Sequence, residues 1–176
     1  MPKIFRIELL PARDGDCIWI EYGDAAKPYR ILIDGGHEDT WEGALKTRLE
    51  ALPKKERVFE LGGVTHIDGD HISGFLAMAN QMPEGMKFRD FWFNGYKHLL
   101  GPDAVEFRTA KEGEDLSALA EKQGWSWNGK WDEKSVVVPD GDGPLPTREL
   151  VGGMKLTLLS PTWEALRICA RSGRPC

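Results

Sequence analysis

The segment HIDGDH at residues 66–71 decides how the fold of this chain is interpreted. It places two imidazoles and two carboxylates, all of them potential metal ligands, within six residues. Imidazole nitrogen and carboxylate oxygen together suit zinc, and they also accept a harder divalent ion such as manganese or iron. The segment therefore predicts a divalent-metal site, with zinc as the first choice. In this interpretation His66 and Asp68 hold one ion, and Asp70 and His71 hold a second.

The elements on either side of this segment would fix its side chains well. Residues 57–65 have the pattern of a strand, and an apolar stripe from Ile72 to Met82 predicts a helix that Pro83 stops. Gly69 relaxes the backbone between them. Ligands at a strand end and a helix start are held firmly, as a metal site requires. The alternative is a solvated turn, whereas a calcium-binding EF-hand lacks its terminal Glu here.

The rest of the chain predicts a mixed α and β domain that begins with a β-meander. Strands are predicted at residues 3–10, 17–22, 29–33, 88–93, 135–138 and 154–159. Helices are predicted from a capping box at Asp39 and Glu42 to Pro53, at 114–123, and after Ser160-Pro161. Asn128-Gly129 between tryptophans predicts a hairpin. Strands followed by strands mixed with helices indicate a helix-flanked β-sandwich.

Composition and charge exclude several functional classes. The chain has 176 residues, 41% of them hydrophobic and 29% charged, as expected of one globular domain. No run approaches the ~18 consecutive apolar residues of a membrane span. A net charge of −5 argues against general nucleic-acid binding. Three cysteines in no recognisable framework favour a reducing compartment, and hence the cytoplasm.

The central segment resembles a known family signature. Residues 65–74 (THIDGDHISG) resemble the HxHxDH motif of the metallo-β-lactamase fold, and look most like the HxDxDHxxG variant. That variant occurs in the hydrolase domain of bacterial DNA-uptake competence proteins and in their stand-alone relatives. Residues 31–36 (ILIDGG), 15–18 (GDCI) and 158–161 (LLSP) resemble further family segments, in family order from about residue 4 to 166.

The resemblance implies an αββα sandwich with metal ions at one edge of its sheets. It implies a hydrolase in which a one- or two-metal site activates water to attack a phosphodiester or another ester-like bond. His66 and Asp68 would be ligands of the first ion, and Asp70 and His71 of the second. Asp70 would also orient the water as the catalytic residue. Asp34 would hold a ligand imidazole, or else it serves only as a turn former.

The chain departs from the family pattern in two ways. Asp68 replaces the second His of the commonest motif, which makes the site harder and less selective for zinc. The family's later ligands come from the second half of the sandwich, whereas only His37 and His98 remain here. His37 is expected in a loop, and His98 is a candidate to approach the site. Asp140 and Asp142 are more typical of turns than of a bridging ligand.

We therefore expect residues 1–166 to form an incomplete metallo-β-lactamase-like domain: the N-terminal half of the sandwich plus part of the second. Residues 167–176 read as an atypical tail from a truncation or an altered reading frame. The alternative function is a catalytically incomplete fragment that acts as a binding module. The expected partner is a small-molecule or phosphodiester substrate. A homodimer that rebuilds a sandwich is a further alternative, favoured if the tryptophans at 125, 127 and 131 are exposed.

Overall fold

A computed structural model describes residues 2–99 and 111–172 of the chain, which form a mixed α and β structure. Its strands are β1 (Lys3–Leu9), β2 (Ile18–Asp24), β3 (Lys27–Ile33), β4 (Val58–Phe59), β5 (Leu61–Gly63), β6 (Lys87–Phe88), β7 (Phe91–Trp92), β8 (Thr147–Glu149) and β9 (Lys155–Thr157). Its α-helices are α1 (Glu38–Thr40), α2 (Lys46–Glu50), α3 (Gly69–Asn80), α4 (Tyr96–Leu99), α5 (Lys111–Lys122) and α6 (Trp163–Ser172). A π-helical turn, Trp41–Leu45, joins α1 to α2.

The main sheet has five strands in the order β1-β2-β3-β5-β7. The first three form the predicted antiparallel meander. The next two run parallel to β3, because the helical segment 38–50 leads from β3 towards β5 and helix α3 leads from β5 towards β7. Strands β4 and β6 form a small parallel pair, and β8 and β9 form an antiparallel hairpin. The predicted mixed α and β class is confirmed.

One face of the sheet is covered by helices and carries the larger hydrophobic core. Trp19 of β2 and Leu32 of β3 contribute to it from the sheet, and both are fully buried. Further buried members come from the helical segment 38–50, from α3 and from α5: Trp41, Leu45, Leu49, Ile72, Phe75, Met78, Leu116 and Ala120. The apolar stripe predicted for α3 is therefore the face that holds this helix against the sheet.

The opposite face of the sheet is only partly covered. Tyr22, Ile31 and Leu61 are buried beneath Leu150, which follows β8, and the Tyr22 hydroxyl donates to the Val151 carbonyl at 2.8 Å. Farther toward β1 the same face is open to solvent. Among the described residues, this face is covered by the β8–β9 hairpin through Leu150, Met154 and Leu156. The αββα sandwich stays a prediction.

The hairpin predicted at Asn128-Gly129 is wrong. Asn128 has a left-handed backbone, but a 3-10 turn, Gly129–Trp131, follows it. The Asn128 side chain is fully buried, accepts from the backbone N–H of Phe93 and donates to the Lys134 carbonyl. These hydrogen bonds connect the turn to the end of β7. The asparagine thus holds two loops together where a pair of strands had been expected.

Four other elements differ from their predictions. The strand predicted at 88–93 is divided between β6 and β7, which belong to different sheets. The helix after β3 begins at Glu38 with His37 as N-cap and has no side-chain cap, because the Asp39 carboxylate pairs with Arg13 instead. The strand predicted at 57–65 is interrupted at Glu60. Within the described part of the chain, residues 135–138 contribute one isolated bridge, from Val138 to Thr162, in place of the predicted strand.

Helix α6 begins just after Ser160-Pro161, as predicted, and continues to Ser172. Residues 167–172 of the predicted tail are therefore helical, and 173–176 lie outside the described residues. Among the described residues, every helix falls short of the length and apolar character needed to cross a bilayer.

Candidate metal centre

Three neighbouring strands bring the 66–71 segment and its supporting residues to one edge of the sheet. β2, β3 and β5 lie side by side, and Ile33 pairs with Gly63 at the ends of β3 and β5. Asp34 follows β3, and its N–H donates to the Gly63 carbonyl at 2.8 Å. The 66–71 segment follows β5 and opens helix α3. Asp34 and this segment therefore lie side by side at the ends of the paired strands β3 and β5.

Asp34 is a buried carboxylate with three donors around it. Its Oδ1 accepts from the Thr65 N–H at 2.7 Å, and its Oδ2 accepts from the Thr65 hydroxyl at 2.6 Å. The same Oδ2 lies 3.0 Å from His71 Nδ1. Because a carboxylate only accepts hydrogen bonds, Nδ1 carries the proton at this contact, and in the neutral form of the ring the lone pair is then on Nε2. Asp34 thus fixes both the orientation and the tautomer of His71.

The four predicted ligands lie in two pairs, and among the described residues no three of the four bring ligand atoms within 4.8 Å of one another. His71 Nε2 is 3.3 Å from Asp70 Oδ2, and His66 Nε2 is 3.6 Å from Asp68 Oδ2. The rings of His66 and His71 have their centroids 3.7 Å apart. The His71 side chain is 10% exposed, whereas those of His66, Asp70 and Asp68 are 26%, 28% and 42% exposed. The cluster is therefore anchored at His71 and open to solvent on its other side.

Glycines allow helix α3 to approach the turn at residues 34–36. The Gly35 N–H donates to the His71 carbonyl at 2.7 Å, and the Gly74 N–H donates to the Gly36 carbonyl at 2.8 Å. A Cβ at Gly74 would lie 1.9 Å from the Gly35 carbonyl oxygen. A Cβ at Gly15 would lie equally close to the Asp70 carbonyl oxygen. A side chain at Gly74 would push the helix away from the turn that carries Asp34, and one at Gly15 would push the start of the helix away from the loop before β2.

Asp16 is a neighbour of the cluster that the sequence did not identify as a ligand. Its Oδ2 lies 3.9 Å from His71 Nδ1, and its side chain is 57% exposed. Asp16, Asp34 and His71 each offer a ligand atom within 4.8 Å of the others, so these three could hold an ion. That arrangement uses Nδ1, which already bonds to Asp34. The Nε2 side, facing Asp70, is the freer position for a metal.

The sequence carried only a weak signal for Asp16. Gly15-Asp16 reads as turn chemistry before a strand, and nothing in its spacing relates it to His71. The connection comes from antiparallel pairing, which sets Ile18 opposite Ile33 and so brings Asp16, two residues before β2, near Asp34, which directly follows β3.

The remaining histidines have other surroundings. His37 Nε2 lies 2.9 Å from Asp14 Oδ1, and this hydrogen bond lowers the pKa of Asp14. His98 is buried, and its ring packs edge-on against Trp127 at 4.5 Å. Burial, and then the charge of Lys97, lower the pKa of His98 to about 4. Within the described residues, the aromatic contact of the His98 ring is with Trp127 and not with a histidine of the 66–71 segment.

The residues of the C-terminal third are likewise occupied elsewhere. Asp140 lies 3.9 Å from an Arg167 guanidinium nitrogen, and Asp142 is in an exposed loop. Trp127 and Trp131 are buried and Trp125 is partly buried, so the exposure considered for these tryptophans is wrong. They fill the space beside β7, where their rings contact Phe88, Phe91, Trp92, Phe93 and His98.

Cys17 lies between Asp16 and the start of β2, and its side chain belongs to the larger hydrophobic core. It is a free thiol, 2% exposed. Burial, and then the charges of Asp34 and Asp16, raise the pKa of Cys17 to about 12. The thiol is therefore protonated near neutral pH and behaves as a small apolar residue rather than a metal ligand.

Comparison with known proteins adds no assignment: no protein-family model matches this chain, and no curated protein matches it.

Proposed function

We propose that this protein is a metal-dependent hydrolase of the metallo-β-lactamase type that acts on a phosphodiester or another ester-like bond. The observation that carries the proposal is the line of contacts from Asp34 to His71 to Asp70. A buried carboxylate orients the imidazole, and the free imidazole nitrogen faces a second carboxylate. Metal-binding histidines commonly have such a carboxylate behind them.

The donor set fits a divalent ion. His66, Asp68, Asp70 and His71 supply two nitrogens and two carboxylate groups, a combination that suits zinc and accepts manganese or iron. The side chains of His66, Asp68 and Asp70 are partly exposed, so an ion held there would be reached from solvent. A bound divalent ion would supply an activated water and would stabilise negative charge on the substrate oxygens.

The protein's own residues have distinct tasks in this proposal. Asp34 holds the Nδ1 proton of His71 and thereby keeps Nε2 available as a ligand atom. Asp70, beside that nitrogen, is the residue we assign to orienting the attacking water and accepting its proton. The Thr65 hydroxyl and N–H saturate Asp34, so this carboxylate stays in its supporting position.

Substrate and location follow from weaker features. The net charge of −5 disfavours broad attraction to nucleic acid, so we propose a small substrate, or a phosphodiester reached through a local groove. The absence of a cysteine framework in the sequence leads us to propose a cytoplasmic location.

One observation favours a second candidate, a metal-binding module without catalysis. The ligand candidates around His71 come from residues 16, 34 and 66–71, all in the first half of the chain. His98, Asp140 and Asp142 have other described surroundings. With fewer protein ligands, an ion would bind more weakly and exchange readily.

Metal content and hydrolysis, measured together, separate these functions. The full chain is purified without added metal, and bound zinc, manganese and iron are quantified before and after zinc loading. Asp70→Ala combined with His71→Ala removes one predicted pair of ligands. Asp140→Ala combined with Asp142→Ala is the matched control, since it removes two exposed carboxylates from a distant loop. Hydrolysis of bis(p-nitrophenyl) phosphate and p-nitrophenyl acetate is then followed.

The hydrolase proposal expects bound metal and turnover in the wild type and the control, and loss of both in the Asp70–His71 variant. Metal binding that this variant loses, without turnover in any protein, supports the binding module instead. Absence of bound metal in the zinc-loaded wild type, or retention of full affinity in the variant, would overturn the metal centre.

A further inference from the structure

Strand β1 has an open outer edge. It pairs with β2 on one side and, within residues 2–99 and 111–172, with no strand on the other. The Leu10 N–H donates to the Cys17 carbonyl, and the Ala25 N–H donates to the Pro2 carbonyl. In an antiparallel pair the bonded positions alternate, so even-numbered residues of β1 bond to β2. The N–H and C=O groups of Phe5, Ile7 and Leu9 therefore point outward.

The side chains of these outward-bonding residues form an exposed apolar row. Phe5 is 63% exposed, Ile7 55% and Leu9 72%. They stand on the partly covered face of the sheet, since Phe5 pairs with Tyr22 and Ile7 with Ile20. Natural proteins seldom leave an edge strand both unpaired and apolar, because such an edge is a template for another strand.

The other face of β1 carries charges of alternating sign. Arg6 lies 3.4 Å from Glu21, and Glu8 lies 3.2 Å from Arg48. One face of β1 is therefore apolar, and the other carries a positive charge at Arg6 followed by a negative charge at Glu8. A strand with this pattern is complementary to an antiparallel copy of itself in a suitable register.

We propose that two copies of this chain pair through β1, antiparallel, with the two-fold axis at Ile7. In this register Arg6 of each copy faces Glu8 of the other, Phe5 faces Leu9, and Ile7 faces its own symmetry mate. Phe5–Leu9 and Ile7–Ile7 occupy hydrogen-bonded positions, as their outward backbone groups require. Arg6–Glu8 occupies the non-hydrogen-bonded position, where opposite side chains are closest.

Other registers that use the same outward backbone groups are worse. An axis at Arg6 sets two guanidinium groups opposite each other, and an axis at Glu8 sets two carboxylates opposite each other. Like charges in directly opposed positions destabilise a strand pair. An axis at Phe5 leaves Arg6 opposite Ile4 and Glu8 opposite Pro2. In the Ile7 register, Pro11 falls opposite Lys3 and, lacking an N–H, ends the ladder there.

A charge-exchange experiment tests the register. Sedimentation velocity over a concentration series measures self-association of the full chain and of the variants Arg6→Glu and Glu8→Arg. Each variant alone places like charges opposite each other, and we expect its self-association to weaken by roughly tenfold or more. Mixing the two variants places glutamates opposite arginines at both positions, so the mixed dimer should recover. Monomeric wild type at all concentrations, or a dimer indifferent to both reversals, overturns the proposal.

Cysteine crosslinking provides a readout that leaves the β1 charges intact. In a background with Cys169→Ser and Cys176→Ser, Ile7→Cys should oxidise to a disulfide dimer, since positions on the axis lie within disulfide reach. Phe5→Cys, on the same exposed row, should not crosslink alone but should crosslink to Leu9→Cys. Crosslinking of Phe5→Cys as efficient as that of Ile7→Cys would instead indicate another interface, such as the open face of the sheet.

Discussion

His71 Nδ1 lies 3.0 Å from Asp34 Oδ2, and this contact joins the first turn of helix α3 to the end of strand β3. The two residues are 37 positions apart in the chain. Their contact determines which imidazole nitrogen of His71 is free, and so on which side of the ring an ion would bind.

Asp34→Asn should weaken zinc binding by roughly 10–100-fold, because the variant loses the carboxylate that holds the His71 ring. The fold should persist, since asparagine tolerates the left-handed backbone found at Asp34, where φ is 56°. Isothermal titration calorimetry on metal-stripped protein measures the affinity.

Asp90→Asn is the control for that measurement. Asp90 is also a buried carboxylate, and it accepts from the N–H groups of Gly129 and Lys130 and from the Trp92 indole. Its loss should lower stability while leaving zinc affinity unchanged. Equal zinc affinity in wild type and Asp34→Asn would show that His71 does not need its carboxylate partner.

Gly74→Ala should destabilise the protein by roughly 1–3 kcal/mol, as overpacking does elsewhere, because its Cβ would collide with the Gly35 backbone. Gly43→Ala is the matched control. A Cβ at Gly43 meets nothing within 4 Å, so that change should be neutral or stabilise the helical segment by about 0.5–1 kcal/mol. Urea unfolding followed by circular dichroism compares the two. Equal midpoints would mean that α3 and the 34–36 turn separate easily.

The sequence predicted local elements of the site better than their assembly. Alternation and helical periodicity indicated β1, β2, β3 and α3. Strands β2 and β3 and helix α3 place apolar residues in a core, whereas the apolar row of β1 is exposed. The potential ligands of the 66–71 segment could be recognised from the sequence because they are neighbours in the chain. The approach of Asp16 to His71 depends on strand pairing, which a single sequence does not display.

The failures of prediction have a common physical origin in tertiary contacts. Asn128-Gly129 has the residue types of a hairpin turn, but the buried Asn128 amide finds partners at Phe93 and Lys134 and fixes a different loop. Asp39 has the type and position of a helix cap, yet Arg13 takes its carboxylate. In both cases a distant side chain or backbone group outcompetes the local hydrogen bond.

His98→Phe should reduce the acid sensitivity of the fold. Burial lowers the pKa of His98 from 6.5 to about 4, so between these values the unfolded chain binds a proton that the folded chain does not. The stability contributed by neutral His98 is present above pH 6.5 and is lost as the pH falls toward 4. Phenylalanine keeps the packing against Trp127 but does not titrate. Thermal midpoints of metal-free protein from pH 7 to 4.5 should decline less steeply in the variant; parallel curves would contradict this.

Cys17 should resist alkylation in the folded protein. With a pKa of about 12, only on the order of one thiol in ten thousand is ionised at pH 8, and the side chain is buried as well. Iodoacetamide at pH 8, followed by peptide mass spectrometry, should leave Cys17 unmodified in native protein and label it fully in guanidinium chloride. The Gly74→Ala variant offers an internal comparison. Loosening helix α3 from the 34–36 turn should expose the part of the core that contains Cys17 and accelerate the labelling of its thiol. If Cys17 is labelled as fast in the native protein as in guanidinium chloride, this part of the core is open to solvent.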